Sequence, residues 1–278
     1  MPPVRLLAAL LATIALSNAP AFAQNRPSAP EASPAAKLNE GVFRSTLDNT
    51  EQRYVELVPA VIPEGRPVDL IIALHGHGSD RWQFIRDPRG ECRGVRDAAA
   101  RHHAILLSPD YRARTSWMGP QAEADLVQII AEARQRHHLG RVFITGGSMG
   151  GTSALIFTAL HPELIDGVCS LNGTANMLEF EGFQEAVSAS YGGARRSKPE
   201  EYRKRSAELH LEKFTMPVAI TTGGRDAVVP PQSALRLAES LRQAGRQTLL
   251  IHRPEGGHST SYEDTVRAME FVLRPASL

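Results

Sequence analysis

Ser148 sits in the run TGGSMGG, residues 145–151, directly after the apolar stretch RVFI and directly before a helix-compatible one. Glycine weakens both strands and helices and is favoured where the backbone takes positive φ or comes very close to other atoms. Gly146 to Gly150 fits G-x-S-x-G, the sharp strand-to-helix turn that lifts a serine hydroxyl above a parallel sheet. A helix starting there aims its positive end at the site, where negative charge develops during acyl transfer. The chemistry this suggests is nucleophilic attack by a serine on a carbonyl.

A serine hydroxyl needs a base to take its proton, and the base needs an acid to orient it. His258, in PEGGHSTSYED, follows an apolar run by a short glycine-rich loop, and Asp226, in TTGGRDAVVPP, follows another through Gly223-Gly224. The chain order Ser148, Asp226, His258 is one of the known orders of such a triad. His252 is the rival base, but as the last residue of its strand it is expected to point into the packing of the sheet. The developing oxyanion needs two N–H donors. One falls to Met149, next after the serine, and the other to His77 in HGHG, residues 75–78, where glycines let backbone face a substrate.

These residues have to be carried to one place by the rest of the fold. Residues 68–74 (VDLIIAL) form a nearly continuous apolar run, as in a strand covered on both faces. Further strands are expected at 54–58, 104–108, 141–145, 165–171, 216–222 and 247–252. Helical spacing marks 94–103, 123–138, 152–160, 232–244 and 261–273. Alternation of this kind predicts an α/β protein with a mostly parallel, doubly wound sheet and helices on both faces. Ligands of such sheets bind beyond the carboxyl ends of the strands, where all the candidates above lie. Between 172 and 214 the alternation breaks, which leaves either a small cap after the strand at 165–171 or a long excursion with one helix; 199–211 is helix-like and charged.

LHGHG, GGSMGG, GGRD-x-x-V-P and GGH, in this order, resemble the α/β-hydrolase superfamily over about residues 54–273. Within it the chain is similar to the compact branch shared by secreted polysaccharide-associated esterases, polyhydroxybutyrate depolymerase-like esterases and prolyl-oligopeptidase (S9) catalytic domains. The resemblance implies hydrolysis through an acyl-enzyme on a Ser-His-Asp triad, with no metal or organic cofactor. It leaves the substrate open, because the fold hosts many. Prolyl-oligopeptidase-type enzymes usually place a large propeller before the catalytic domain, and only a linker and a strand or two precede LHGHG here. An ester hydrolase is therefore expected ahead of a peptidase on short peptides, with a non-catalytic binding protein as the third reading. A metal hydrolase is the weakest: His75, His77 and Asp80 approach a zinc pattern, but Arg81 stands where a ligand is wanted.

The loop PDYRARTSWMGP, residues 109–120, lies at the same end of the sheet. Tyr111 and Trp117 are candidates for a stacking wall, and Arg112 and Arg114 for partners of a substrate carboxylate. The opposite reading has Trp117 and Met118 covering the core and the arginines facing water. On the first reading Trp117→Ala raises KM more than it changes kcat. Asn172, at the end of the strand at 165–171, is a candidate for lining the acyl pocket. His102-His103 and His137-His138 end helices and read as structural, and the basic cluster at 195–205 reads as a solvated helix face.

With 31 basic and 30 acidic residues in 278, the formal charge of +1 gives no general pull toward nucleic acid or membranes. Residues 1–23 have the short basic start, the apolar LLAALLATIAL and the Ala-Phe-Ala end of a signal peptide. Export to the periplasm or medium is thus expected, with no membrane span in the mature form. Residues 24–38, rich in Pro, Ala and Ser, read as a disordered linker, and 39–278 as a single domain. Cys92 and Cys169 are too few for a disulfide scaffold, and their pairing is left open.

Overall fold

β3 (Val68–Leu74) shows why the sheet forms as it does. Leu70, Ile72 and Leu74 enter one hydrophobic cluster while Ile71 and Ala73 enter a second, as period-two alternation requires of a strand covered on both faces. In a computed structural model, which describes residues 36–62 and 65–274, β3 is flanked by β4 (Ile105–Pro109) and β5 (Leu139–Gly147). The whole sheet has eight strands in the order β1-β2-β4-β3-β5-β6-β7-β8, with β1 at Lys37–Arg44, β2 at Glu51–Val58, β6 at Gly167–Leu171, β7 at Val218–Gly223 and β8 at Thr248–Arg253. The β1–β2 and β2–β4 pairs are antiparallel, and every other pair is parallel.

The helices in chain order are α1 (Gln83–Arg86), α2 (Gly90–Arg101), α3 (Pro120–Arg136), α4 (Met149–Leu160), α5 (Gln184–Tyr191), α6 (Pro199–Lys204), α7 (Gln232–Gln243) and α8 (Tyr262–Leu273). Cys92, Val95 and Ala98 of α2 join Ala268, Met269 and Val272 of α8 on one face of the sheet. Leu126 and Ile130 of α3, Leu155 of α4 and Leu237 of α7 pack on the other. Every residue of α4 except Leu160 is buried, as its all-round apolar sequence demands. Its entry is tight: a Cβ on Gly150 would lie 1.9 Å from the Leu74 carbonyl oxygen, so only glycine allows α4 to meet the end of β3.

Most expected elements appear within a few residues of their predicted bounds. β1 was not foreseen, and it begins at Lys37, inside the stretch read as linker to 38. Its inward side is weakly apolar, with only Phe43 buried among its large side chains. β7 starts at Val218 rather than at 216, since Pro217 brings no N–H to a ladder. The break after β6 holds two helices, α5 and α6, followed by 3-10 turns at Ala207–Leu209 and Leu211–Lys213, so the single helix expected over 199–211 ends at Lys204. The proposed signal peptide lies outside the described residues. Among the described residues no helix is long and apolar enough to cross a membrane. Cys92 and Cys169 are both buried free thiols, which closes the question of their pairing.

Candidate active site

Ser148 follows the end of β5 with φ 59° and ψ −120°, a conformation that points its side chain up from the turn into a cleft. Its Oγ lies 2.8 Å from His258 Nε2. On the other side of the ring, His258 Nδ1 lies 2.7 Å from Asp226 Oδ2. Asp226 has a side chain only 2% exposed, and its Oδ1 accepts the N–H groups of Val228 and Val229 at 2.9 Å each. A carboxylate so held accepts a hydrogen bond from the imidazole Nδ1–H, leaving Nε2 as the acceptor that faces the serine.

The turns after β7 and β8 bring acid and base together by backbone contact. A Cβ on Gly223 would fall 2.2 Å from the Gly257 carbonyl oxygen, and the Arg225 N–H donates to the Gly256 carbonyl at 2.8 Å. A Cβ on Gly224 would likewise fall 2.3 Å from the Pro254 carbonyl oxygen, so it is the glycine pair after β7 that lets the two turns touch, whereas a Cβ on Gly257 would meet nothing within 4 Å. β6 lies between β5 and β7, and the Ser148 N–H donates to its last carbonyl, that of Leu171, at 2.8 Å. His252 stays in β8 with Nδ1 2.9 Å from Thr222 Oγ1.

The cleft has a volume of about 290 Å³ and is lined by Gly76, His77, Gly147, Ser148, Asn172 and His258. One wall adds Gln83, Arg89 and Glu91; Phe183 and Val228, exposed by 37% and 43%, also line it. The N–H groups of His77 and Met149 have no hydrogen-bond partner among the described residues. For Met149 this follows from its place as the first residue of α4, whose N–H has no preceding turn to bond. The loop carrying His77 is pinned on both sides of it. The Gly76 N–H donates to Gln83 Oε1 at 2.8 Å, and Gly78 exchanges two bonds with Arg114, N–H to carbonyl and carbonyl to Nε, at 2.7 Å each.

Four of the five suggested substrate contacts do not line the cleft. Tyr111 is buried and donates its hydroxyl to the His75 carbonyl at 2.7 Å. Arg112 is taken up by Asp125 and Asp48, each at 2.8 Å, so it neither meets a substrate carboxylate nor faces water. Trp117 is fully buried, with its ring 5.9 Å from that of His77 and 5.3 Å from those of Phe180 and Phe183. Arg114 gives its Nε to the Gly78 carbonyl and stands exposed outside the cleft lining. Asn172 does line the cleft, at φ 50°, with its Oδ1 buried and unpartnered among the described residues.

Arg205, read as part of a solvated face, is fully buried between Glu123 and Glu201 at 2.5 Å each and donates to the Met118 carbonyl at 2.7 Å. His75 is buried, with its ring nitrogens near the Gly76 and Asp110 carbonyls, and burial pushes its pKa down. Among the described residues no group of three His, Cys, Asp or Glu side chains converges as a metal site would require.

Glu91 was missed. Its side chain is 12% exposed and 3.4 Å from Arg89, and burial pushes its pKa up, with the charges of Arg89 and His258 opposing. A helix residue 57 positions before the serine gives no local signal of its place. Burial likewise holds the His77 imidazole below its ordinary value.

The sequence profile of the prolyl oligopeptidase family matches residues 112–274. No curated protein matches the chain. Among solved structures, the fluorophosphonate-binding serine hydrolase FphF of Staphylococcus aureus, substrate bound, superposes with a TM-score of 0.69 at 16% identity, over 87% of this chain and 100% of that one. A ferulic acid esterase gives 0.67 at 16%, over 86% and 98%. An acylaminoacyl peptidase of Pyrococcus horikoshii gives 0.66 at 17%, over 86% of this chain but 40% of its own. At such identities the shared property is the fold, that of the α/β-hydrolases.

Proposed function

The chain belongs to the prolyl oligopeptidase family of serine hydrolases, and within that frame we propose that it cleaves carboxylic esters through an acyl-enzyme on Ser148. The observation that carries this reading is the unbroken chain of contacts from Ser148 Oγ through His258 to Asp226, at 2.8 and 2.7 Å. Ser148 attacks the ester carbonyl while His258 Nε2 takes its proton. Asp226 holds the ring in the required tautomer and stabilises the imidazolium. The negative oxygen settles between the His77 and Met149 N–H groups, each donor being worth about 2.7–4 kcal/mol at the transition state. His258 then protonates the departing alcohol, and water repeats the cycle on the acyl-enzyme.

The ester class of this reading is supported by the likeness to FphF, a fluorophosphonate-binding serine hydrolase, and to the ferulic acid esterase. Acyl groups on plant polysaccharide or on other small or polymer-attached esters are the substrates this reading favours. The family match keeps a serine peptidase acting on short peptides as the second reading. Export is part of the proposal, with the mature chain starting at Gln24; the intact mass of the secreted protein tests it.

The function is tested by intact mass after a fluorophosphonate probe, on the wild type and on Ser148→Ala. One adduct on the wild type, none on the variant, and a fall in kcat on the order of 10⁶ are expected. A panel of acetyl, feruloyl and longer acyl esters beside peptide anilides then sorts the two readings. An unlabelled wild type would point to a binding protein on a hydrolase fold, and cleavage of anilides without esters would make it a peptidase.

A further inference from the structure

Residues 111–118 do not form a substrate wall, yet they carry the largest concentration of backbone strain near the cleft. Tyr111, Arg112, Trp117 and Met118 all have positive φ, at 29°, 85°, 43° and 53°. Non-glycine residues persist there only when their surroundings over-determine them. What this strained loop touches is the pair of residues with open N–H donors. The Trp117 indole N–H donates to His77 Nδ1 at 3.1 Å, and the Trp117 main-chain N–H points at Met149 Sδ at 3.5 Å.

We propose that Trp117 is a positioning residue for the oxyanion site, fixing the His77 ring, and through it the His77 N–H, by its indole hydrogen bond. The proposal rests on the esterase reading above. His77 is the only side chain in Gly76-His77-Gly78, so its ring is the handle by which the surrounding structure can orient that peptide. The ring is held on two sides, by the indole N–H and by Phe183, whose ring centroid lies 4.3 Å away. Accepting at Nδ1 makes the imidazole a neutral Nε2–H tautomer, and burial favours the same uncharged form. The excursion after β6 braces the tryptophan in turn: the Tyr191 hydroxyl donates to the Trp117 carbonyl at 3.1 Å, and Arg205 Nε to the Met118 carbonyl at 2.7 Å. On this account the excursion shapes the cleft with Phe183 and reaches the oxyanion donors through Trp117.

The test is a double-mutant cycle on Trp117→Phe and His77→Leu, the first removing the indole N–H while keeping a ring, the second removing its acceptor while keeping the backbone N–H. On an aryl acetate each single variant is expected to lower kcat about five- to tenfold with KM within twofold, the size of one lost hydrogen bond felt at the transition state. A trifluoromethyl ketone inhibitor, which mimics the tetrahedral oxyanion, should weaken in proportion. The double variant should be no worse than the worse single one, because both remove the same bond. Losses that multiply, a change confined to KM, or full kcat in a folded Trp117→Phe protein would overturn the proposal. If Trp117→Phe does not fold, His77→Leu alone reads the bond from its other end, and unchanged kcat there overturns it equally. Fluorophosphonate labelling of the wild type separates these outcomes from failure of the esterase reading itself.

Discussion

Asp226→Asn changes one atom, and the structure dictates which way the new amide turns. Asp226 Oδ1 sits under the N–H groups of Val228 and Val229 at 2.9 Å each, while Oδ2 faces His258 Nδ1 at 2.7 Å. Turning the asparagine NH₂ toward Val228 and Val229 would set donors against donors. That sacrifices two hydrogen bonds of about 1 kcal/mol each and leaves buried groups unsatisfied at about 1–3 kcal/mol apiece. The carbonyl therefore stays where Oδ1 was, and the NH₂ is presented to His258. Nδ1 must then accept, Nε2 carries the proton, and the ring points an N–H at Ser148 where a base is needed. In a comparable triad this wrong tautomer lowers kcat by about 10⁴, or about 5.4 kcal/mol at 1.36 per tenfold. Volume and both backbone bonds are kept, so the melting temperature should stay within about 2 °C, worth under 1 kcal/mol in a domain of this size. The assay is kcat for an aryl acetate at neutral pH, with the fluorophosphonylation rate followed in parallel. A folded Asp226→Asn enzyme retaining a tenth or more of wild-type kcat would show that Asp226 does not set the tautomer.

Burial raises the Glu91 carboxyl, so the native state holds that proton to higher pH than the unfolded chain, and stability contributed at low pH is lost as pH rises above the ordinary value of 4.5. Asp87, Arg89, His258 and the Thr260 backbone face the group, and Glu91→Gln should raise the melting temperature at pH 7 more than at pH 4; an equal shift at both would contradict the burial argument. The Cys92 and Cys169 thiols are pushed up to about 12 by burial, so neither should react with a disulfide reagent at pH 8 in the native state, and both should titrate once the chain is unfolded. Arg205→Ala takes a fully buried guanidinium away from Glu123, Glu201 and the Met118 carbonyl, a change expected to cost about 3 kcal/mol and to lower the melting temperature by about 10 °C in calorimetry. A loss below 2 °C would mean that His161 and Lys204, already beside Glu123, hold the carboxylates without the guanidinium.

The amino-acid sequence by itself determined the features that depend on near neighbours along the chain. VDLIIAL, apolar but for Asp69, is too short for a typical helix and reads as a strand covered on both faces, and β3 occupies 68–74. GGSMGG joins a strand to a helix by a tight turn, and the paired glycines at 223–224 mark a turn that must pack closely. β1 escaped because alternation with a single large buried side chain, Phe43, falls below what periodicity can show.

Only the tertiary structure decided what each loop side chain meets. An aromatic residue on a loop at the functional end of a sheet serves equally as wall or as core, and the packing of α5 over Trp117 makes it core. The charges of Arg112 and Arg205 look solvated in sequence because their partners Asp48 and Glu123 lie 64 and 82 residues away. Glu91 reaches the cleft only because α2 begins beside Gly147, where a Cβ would come within 3.4 Å of its carboxylate. The separations of 2.8 and 2.7 Å among Ser148, His258 and Asp226 follow from the adjacency of β5, β6, β7 and β8. Chain order puts each of these residues at a strand end, but which ends lie side by side is set by the order of strands in the sheet, a long-range pairing that no local pattern encodes.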